Sequence, residues 1–83
     1  MKTESQTQFE LTSASALDAF RTNIVRQMQS RGWNFVDTAR ATQGRPSRTL
    51  ITNVVKGKSD ISISNAERVA AAFGMSLSQM LIK

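Results

Sequence analysis

The sequence predicts an all-α domain built from five short helices. Apolar residues recur three or four positions apart, as in Leu17, Phe20 and Ile24, which is the spacing of one helix face. Serine or asparagine precedes each segment of this kind, and glycine or proline follows most of them, as expected at helix starts and stops. No helix pattern alternates with a strand pattern, so we do not expect a parallel sheet.

The 83-residue chain lacks the residue types on which most active sites and metal centres depend. It has no cysteine and no histidine, which excludes disulfides, zinc sites built on either residue and a histidine general base. Its six carboxylates are scattered along the sequence. We therefore expect no catalytic residues, no metal and no cofactor, and a protein that is not an enzyme.

The chain also lacks a segment suited to a membrane. No apolar run approaches the roughly 20 residues that a transmembrane helix needs. The first eight residues are polar and do not contain the apolar core of a signal peptide. We expect a cytoplasmic protein with no membrane partner.

The N-terminal residues differ in composition from the rest of the chain. Residues 1–14 are rich in Thr, Gln, Ser and Glu and predict a flexible polar arm, so that the folded domain spans residues 15–83. The first helix of this domain is expected over residues 16–31. Ser15 and Asp18 have the spacing of a capping box, and a glycine follows the last helical residue.

The second and third helices are predicted over residues 34–42 and 47–56. Asn34 is a suitable cap for the second helix, with Asp37 in its first turn. Residues 43–46 (QGRP) then break the helix, because glycine allows unusual dihedral angles and proline cannot continue a helix.

The last two helices begin at serines. Ser62 and Ser64 are both candidate caps of the fourth helix, and Ser64 and Glu67 have capping-box spacing. Ser76 and Gln79 have the same spacing at the start of the fifth helix. Short connections between five short helices are typical of a compact all-α domain.

Apolar positions of all five helices are expected to meet in one core. They are Leu17, Phe20, Ile24, Met28, Val36, Ala39, Leu50, Ile51, Val54, Val69, Phe73, Leu77 and Leu81. Trp33 follows the glycine that ends the first helix. We expect it to pack at the corner between the first two helices, with stacking on a base as the alternative.

Positive charge is concentrated in the middle of the sequence. The net charge of the chain is +5, but residues 21–58 carry eight Lys and Arg against one acid, a net charge of +7. The other 45 residues hold three basic and five acidic side chains. A generally basic surface explains the total but not this segregation, which is typical of proteins that bind a polyanion.

The third helix has the composition of a helix that contacts nucleic acid. Leu50, Ile51 and Val54 form an apolar face. The opposite face carries arginine, threonine and asparagine, whose side chains form hydrogen bonds with base edges and phosphates. Residues 44–58 contain no acid, whereas a solvated surface helix usually mixes both signs of charge.

Three stretches of the sequence match the pattern of a known family. Residues 47–54 (SRTLITNV) follow the pattern Ser-x-x-x-Ile-Ser-x-Ile. Residues 57–63 (GKSDISI) follow glycine-basic-x-x-proline-serine-leucine, and residues 70–81 (AAAFGMSLSQML) follow Ala-x-x-Leu-Gly-Val-Ser-x-x-x-Leu-Leu. Through these motifs, the chain from about residue 23 to residue 81 resembles the lambda-repressor-like helix-turn-helix family, also called the Cro/repressor or XRE type.

The resemblance implies a bundle of five helices in which helices 2 and 3 form the helix-turn-helix. It also implies sequence-specific binding of double-stranded DNA, commonly by a dimer on a palindromic operator. The chain departs from the family pattern in three places. Residues 43–46 make the turn about two residues longer, Asn34 and Phe35 replace the usual phosphate-binding glutamine, and Ile61 replaces the loop proline. The longer turn is expected to alter the docking angle of helix 3.

The candidate site residues follow from chemistry and position. Those predicted to contact bases are Ser47, Arg48, Thr49, Thr52 and Asn53. Those predicted to contact phosphates are Asn34, Arg40, Arg45, Lys56 and Lys58. Arg48 is the first choice for base readout, because its planar guanidinium can pair with O6 and N7 of a guanine. The alternative for each of them is an ordinary solvated helix residue.

The predicted function is that of a sequence-specific transcriptional regulator. We expect a repressor of phage or mobile-element type that binds a palindromic operator as a homodimer through residues 47–56. The dimer contact is expected in the fifth helix, through Met80 and Ile82, or in the arm, through Phe9 and Leu11. One alternative is an antitoxin-type protein that also binds a partner protein through the arm. Another is a nonspecific, architectural DNA-binding protein.

Overall fold

Five α-helices account for most of the described part of the chain, which is residues 14–82 of this computed structural model. They are α1 (Ala14–Arg31), α2 (Phe35–Ala41), α3 (Arg48–Val55), α4 (Ile63–Ala72) and α5 (Leu77–Met80). The all-α prediction is confirmed for these residues. The predicted arm, with Phe9 and Leu11, lies outside the described residues, except for Ala14, the first residue of α1. None of the helices within residues 14–82 has both the length and the apolar character to cross a membrane.

Capping boxes begin two of the helices; the cap at Asn34 and the box at Ser76 were predicted. The Asn34 side chain accepts a hydrogen bond from the Asp37 N–H at 2.8 Å, and the Asp37 carboxylate accepts one from the Asn34 N–H at 3.0 Å. Ser76 and Gln79 form the same reciprocal pair at the start of α5. Each box satisfies two backbone donors that a helix start leaves without partners.

Single serines cap α3 and α4. The Ser47 hydroxyl accepts from the Leu50 N–H, and Ser62 accepts from the Asn65 N–H at 3.1 Å. Ser62 is therefore the cap of α4, and Ser64 lies inside that helix. The predicted box of Ser15 with Asp18 is wrong, because α1 begins at Ala14 and Ser15 is already in its first turn.

Residues in the left-handed backbone conformation, with positive φ, end the first four helices. Gly32, Gly57 and Gly74 have φ between 67° and 78°, and the residue after each donates to a carbonyl five positions earlier. At the end of α2, the same position is held by Gln43, with φ of 60°, and Gly44 N–H donates to the Ala39 carbonyl at 2.9 Å. This motif ends α2 before the proline is reached.

Most of the buried apolar side chains form one core between α1 and the other helices, while Ala19 and Ile51 are buried outside this cluster. The members of the core are Leu17, Phe20, Ile24, Met28, Val54, Ile61, Ala66, Val69, Ala70, Phe73 and Met80. Leu50, Leu77 and Leu81 are half-buried against this cluster. The prediction that Val36 belongs to the core is wrong, because its side chain is 42% exposed.

Trp33 packs where α1, α2 and α4 meet. Its ring centroid lies 5.6 Å from that of Phe73. The Arg31 guanidinium lies 5.4 Å from the centre of the Trp33 ring and 5.3 Å from that of Phe73, so it contacts both aromatic side chains. The predicted packing role of Trp33 at the corner between the first two helices is confirmed.

Polar side chains of α1 bind the C-terminal ends of three other helices. Arg21 Nε donates to the Val54 carbonyl at 2.7 Å, and Arg31 Nη2 donates to the Phe73 carbonyl at 2.8 Å. The buried Asn23 amide donates to the carbonyls of Met80 at 2.9 Å and Ile82 at 2.8 Å. The ends of α3, α4 and α5 are thus attached to α1 by hydrogen bonds as well as by apolar contacts.

Replacing Asn23 with alanine should lower the free energy of unfolding by about 1–3 kcal/mol, because two helix-end carbonyls near the core lose their donor. The control is Gln29→Ala at an exposed position of the same helix, where a change below about 0.5 kcal/mol is expected. Urea denaturation measures both values. Equal losses in the two variants would mean that the amide of Asn23 does not hold the end of α5.

Candidate nucleic-acid interface

The connection between α2 and α3 is tied down by side chains at both of its ends. The hydroxyl of the buried Thr42 lies 2.9 Å from the Ala39 carbonyl oxygen and 3.0 Å from that of Pro46. Arg68 Nε, on α4, donates to the Arg45 carbonyl at 2.7 Å. This turn is therefore anchored to α2 and to α4, and it fixes where α3 begins.

Helix α3 has one buried and one accessible face. Ile51 and Val54 are buried and Leu50 is half-buried, which attaches the helix to the core. The predicted base-contacting residues lie on the other face. Ser47, Arg48 and Thr49 are exposed there, and Thr52 and Asn53 are partly exposed.

A groove of about 430 Å³ separates the accessible face of α3 from the start of α2. Its lining consists of Asn34, Phe35, Val36, Arg48, Thr49, Thr52 and Asn53. Four of the five predicted base-contacting residues are thus brought together, with Asn34 opposite them. Ser47 is outside the lining and acts as the cap of α3. None of the four acidic side chains within residues 14–82 lines the groove.

The polar residues of the groove present hydrogen-bond donors that have no partner among the described residues, together with some acceptors. Within residues 14–82, neither the Arg48 guanidinium nor the Asn53 amide has a hydrogen-bond or ion-pair partner. The Thr52 hydroxyl donates to the Arg48 carbonyl at 2.8 Å, which leaves its oxygen to accept and its methyl to pack. The oxygen of Asn34 is used in capping, so its NH₂ group is the part left to donate. These groups match the acceptors of purine edges and phosphates.

The predicted phosphate-contacting residues divide into two sets. Arg45 lies before α3, Lys56 is its C-terminal cap and Lys58 follows, and all three are exposed with no acidic partner among the described residues. Arg40 is 77% exposed and lies 4.0 Å from the Asp37 carboxylate. It faces a different surface of α2, next to Trp33, and is not brought to the groove.

On the α2 side of the groove, sequence reasoning predicted Asn34 but missed Phe35 and Val36. Phe35, Thr38 and Thr42 are the inward residues of that helix and its end, at the spacing of a helix face. Val36 is rotated about 100° from Phe35 and therefore points away from the core. If the buried face of α2 is worked out by counting from its cap at Asn34, Val36 falls on the exposed face.

Comparison of this chain with models of protein families, with curated proteins and with solved structures finds no match.

The Thr42 hydroxyl should stabilise the domain measurably. Thr42→Val keeps the shape of the side chain but leaves a carbonyl inside the turn without a donor, and should cost roughly 1 kcal/mol. For a domain of this size, that loss corresponds to a fall in Tm of about 4–8 °C.

The matched control for this substitution is Thr49→Val on the exposed face of α3, where the hydroxyl has no partner within the described residues. Its Tm should change by less than about 3 °C. Circular dichroism melting curves of the two variants make the comparison. A Tm for Thr42→Val equal to that of the wild type would show that the turn is not held by this hydroxyl.

Proposed function

We propose that this chain is a sequence-specific DNA-binding transcriptional regulator that represses by occupying its operator. In this proposal α2 and α3 form a helix-turn-helix, and α3 lies in the major groove. The observation that carries the proposal is the accessible face of α3, where Arg48 and Asn53 have free hydrogen-bonding groups and no acid lies beside them. Both side chains are able to pair bidentately with a purine, Arg48 with guanine and Asn53 with adenine.

The dimensions and charges around α3 support this choice of ligand. Its eight residues span about 12 Å, and the major groove of B-DNA is wide enough to admit a helix. Arg45 precedes the helix, and Lys56 and Lys58 follow it. Positive groups at both ends of a reading helix are placed to neutralise phosphates on either side of the groove, which positions the helix without specifying sequence.

We further propose that the operator is bound by a homodimer. One helix of this length covers only a few base pairs, so useful specificity requires a second copy on a half-site one helical turn or a multiple of it away. Of the two C-terminal residues predicted at the dimer contact, Met80 is fully buried within the monomer and is unavailable. Ile82 is 70% exposed and remains a candidate for that contact.

Replacing Arg48 with alanine should cost about 1–3 kcal/mol at one base position and relax the sequence preference there. Arg48→Lys is the matched control, because it keeps the charge and loses the planar fork. It should retain affinity for random duplexes and lose the preference. For each variant, Kd is measured for a selected site and for a random duplex. The assignment of Arg48 to base readout fails if the ratio of these two Kd values stays the same as in the wild type.

Lys58→Ala should weaken binding to all duplexes alike, because a phosphate contact carries no base information. Loss of one contact should reduce the slope of log K against log salt concentration by about 0.9. Lys58→Arg preserves the charge and should leave the slope unchanged. Titrations at four or five salt concentrations give the slopes. An unaltered slope in the alanine variant would remove Lys58 from the contact surface.

A further inference from the structure

Val36 places an exposed apolar side chain in a groove that is otherwise lined by five polar residues and the half-buried Phe35. It is one of three large apolar residues that residues 14–82 expose, together with Val25 and Ile82. Of the three, only Val36 lines the groove beside Arg48 and Thr49. It does not belong to the apolar cluster that holds the helices together. Packing within the monomer therefore does not account for this valine.

The two walls of the groove differ in chemistry. On the α2 side, Phe35 is half-buried against the core and Val36 projects beyond it, so this wall is apolar except for Asn34 at its start. On the α3 side, Arg48 and Asn53 carry hydrogen-bond donors without partners in the described residues. A ligand that fills the groove must present a small apolar group next to hydrogen-bond acceptors.

Base pairs present this combination in the major groove. The 5-methyl group of thymine is the apolar group displayed there, and neighbouring purines display N7 and O6 acceptors. Asn34, immediately before the apolar wall, has an NH₂ group free to bind a phosphate, which would bring the start of α2 close to the DNA. The basic groups around α3 favour the same ligand.

We propose that Val36 is a specificity-determining residue that packs on the 5-methyl group of a thymine next to the base pair contacted by Arg48. This inference rests on the proposed function, since it requires α3 to lie in the major groove. It adds α2 as a second reading element. The operator half-site then contains a thymine whose recognition depends on its methyl group and on a side chain outside α3.

The experiment uses the full chain and a site selected from random duplexes. Each thymine of one half-site is replaced in turn by deoxyuridine, which lacks only the 5-methyl group. Wild-type protein should lose about fourfold in affinity at one of these positions, which corresponds to roughly 0.8 kcal/mol for burial of one methyl-sized group. Val36→Ala should bind the thymine and deoxyuridine duplexes equally at that position.

Val25→Ala is the matched control, because Val25 is a similarly exposed valine on α1 that does not line the groove. It should show the wild-type loss at every position. Val36→Thr keeps the branched shape, exchanges a methyl for a hydroxyl and should also reduce the discrimination. If circular dichroism shows that one Val36 variant is poorly folded, the binding data of the other variant are used to test the assignment.

The outcomes separate this inference from the proposed function. If no sequence is selected over random DNA, the proposed function fails and the role of Val36 fails with it. If a site is selected and depends on Arg48, but every thymine responds to methyl removal equally in wild type and in the Val36 variants, only the Val36 assignment is overturned. A methyl effect that disappears only in the Val36 variants supports it.

Discussion

Short helices leave backbone carbonyls without partners at their C-terminal ends, and in this domain α1 provides donors for three such ends. Arg21, Asn23 and Arg31 each bind the end of a different helix. A four-residue helix such as α5 has little stability of its own. Its place depends on the insertion of Met80 into the core and on the amide of Asn23. The short helices α3, α4 and α5 are thus held in place by the long helix α1. Because α1 contacts the inner side of α3, the outer face of α3 stays accessible.

Because of these contacts, not all of the positive charge in the middle of the sequence is available to a ligand. Arg21 and Arg31 belong to the basic stretch but bind carbonyls of the fold, and Arg31 also stacks on two aromatic rings. Net charge over residues 21–58 therefore overstates the charge available to a ligand. Of the other six basic side chains, four lie around α3 (Arg45, Arg48, Lys56 and Lys58), whereas Arg26 is on α1 and Arg40 lies beside Asp37. The accessible charge is smaller than the sequence indicates, and it is more concentrated on one helix.

Local signals predicted most of the helix boundaries, because capping and glycine termination depend on a few adjacent residues. The caps at Asn34, Ser47 and Ser76 are of this kind. The box predicted at Ser15 is an error of a local signal, whereas the errors about burial arose where contacts distant in sequence decide. Ile61 is buried although it lies in a loop, where no helical periodicity predicts burial. Val36 faces outward because residues on the other face of α2 determine how that helix packs. The α3 half of the groove could be predicted from one helix. On the α2 side, Asn34 was predicted, but Phe35 and Val36 were not, because their place in the groove depends on how two helices pack.

The packing of Trp33 has a practical consequence for optical measurements. It is the single tryptophan of the chain, and it lies against Phe73 and Arg31, where α1 meets the end of α4. It does not line the groove between α2 and α3. Its fluorescence therefore reports the integrity of this junction and is separate from events in the groove. Emission recorded during a titration distinguishes a variant that has lost its fold from one that has lost only its ligand contacts, without an attached dye.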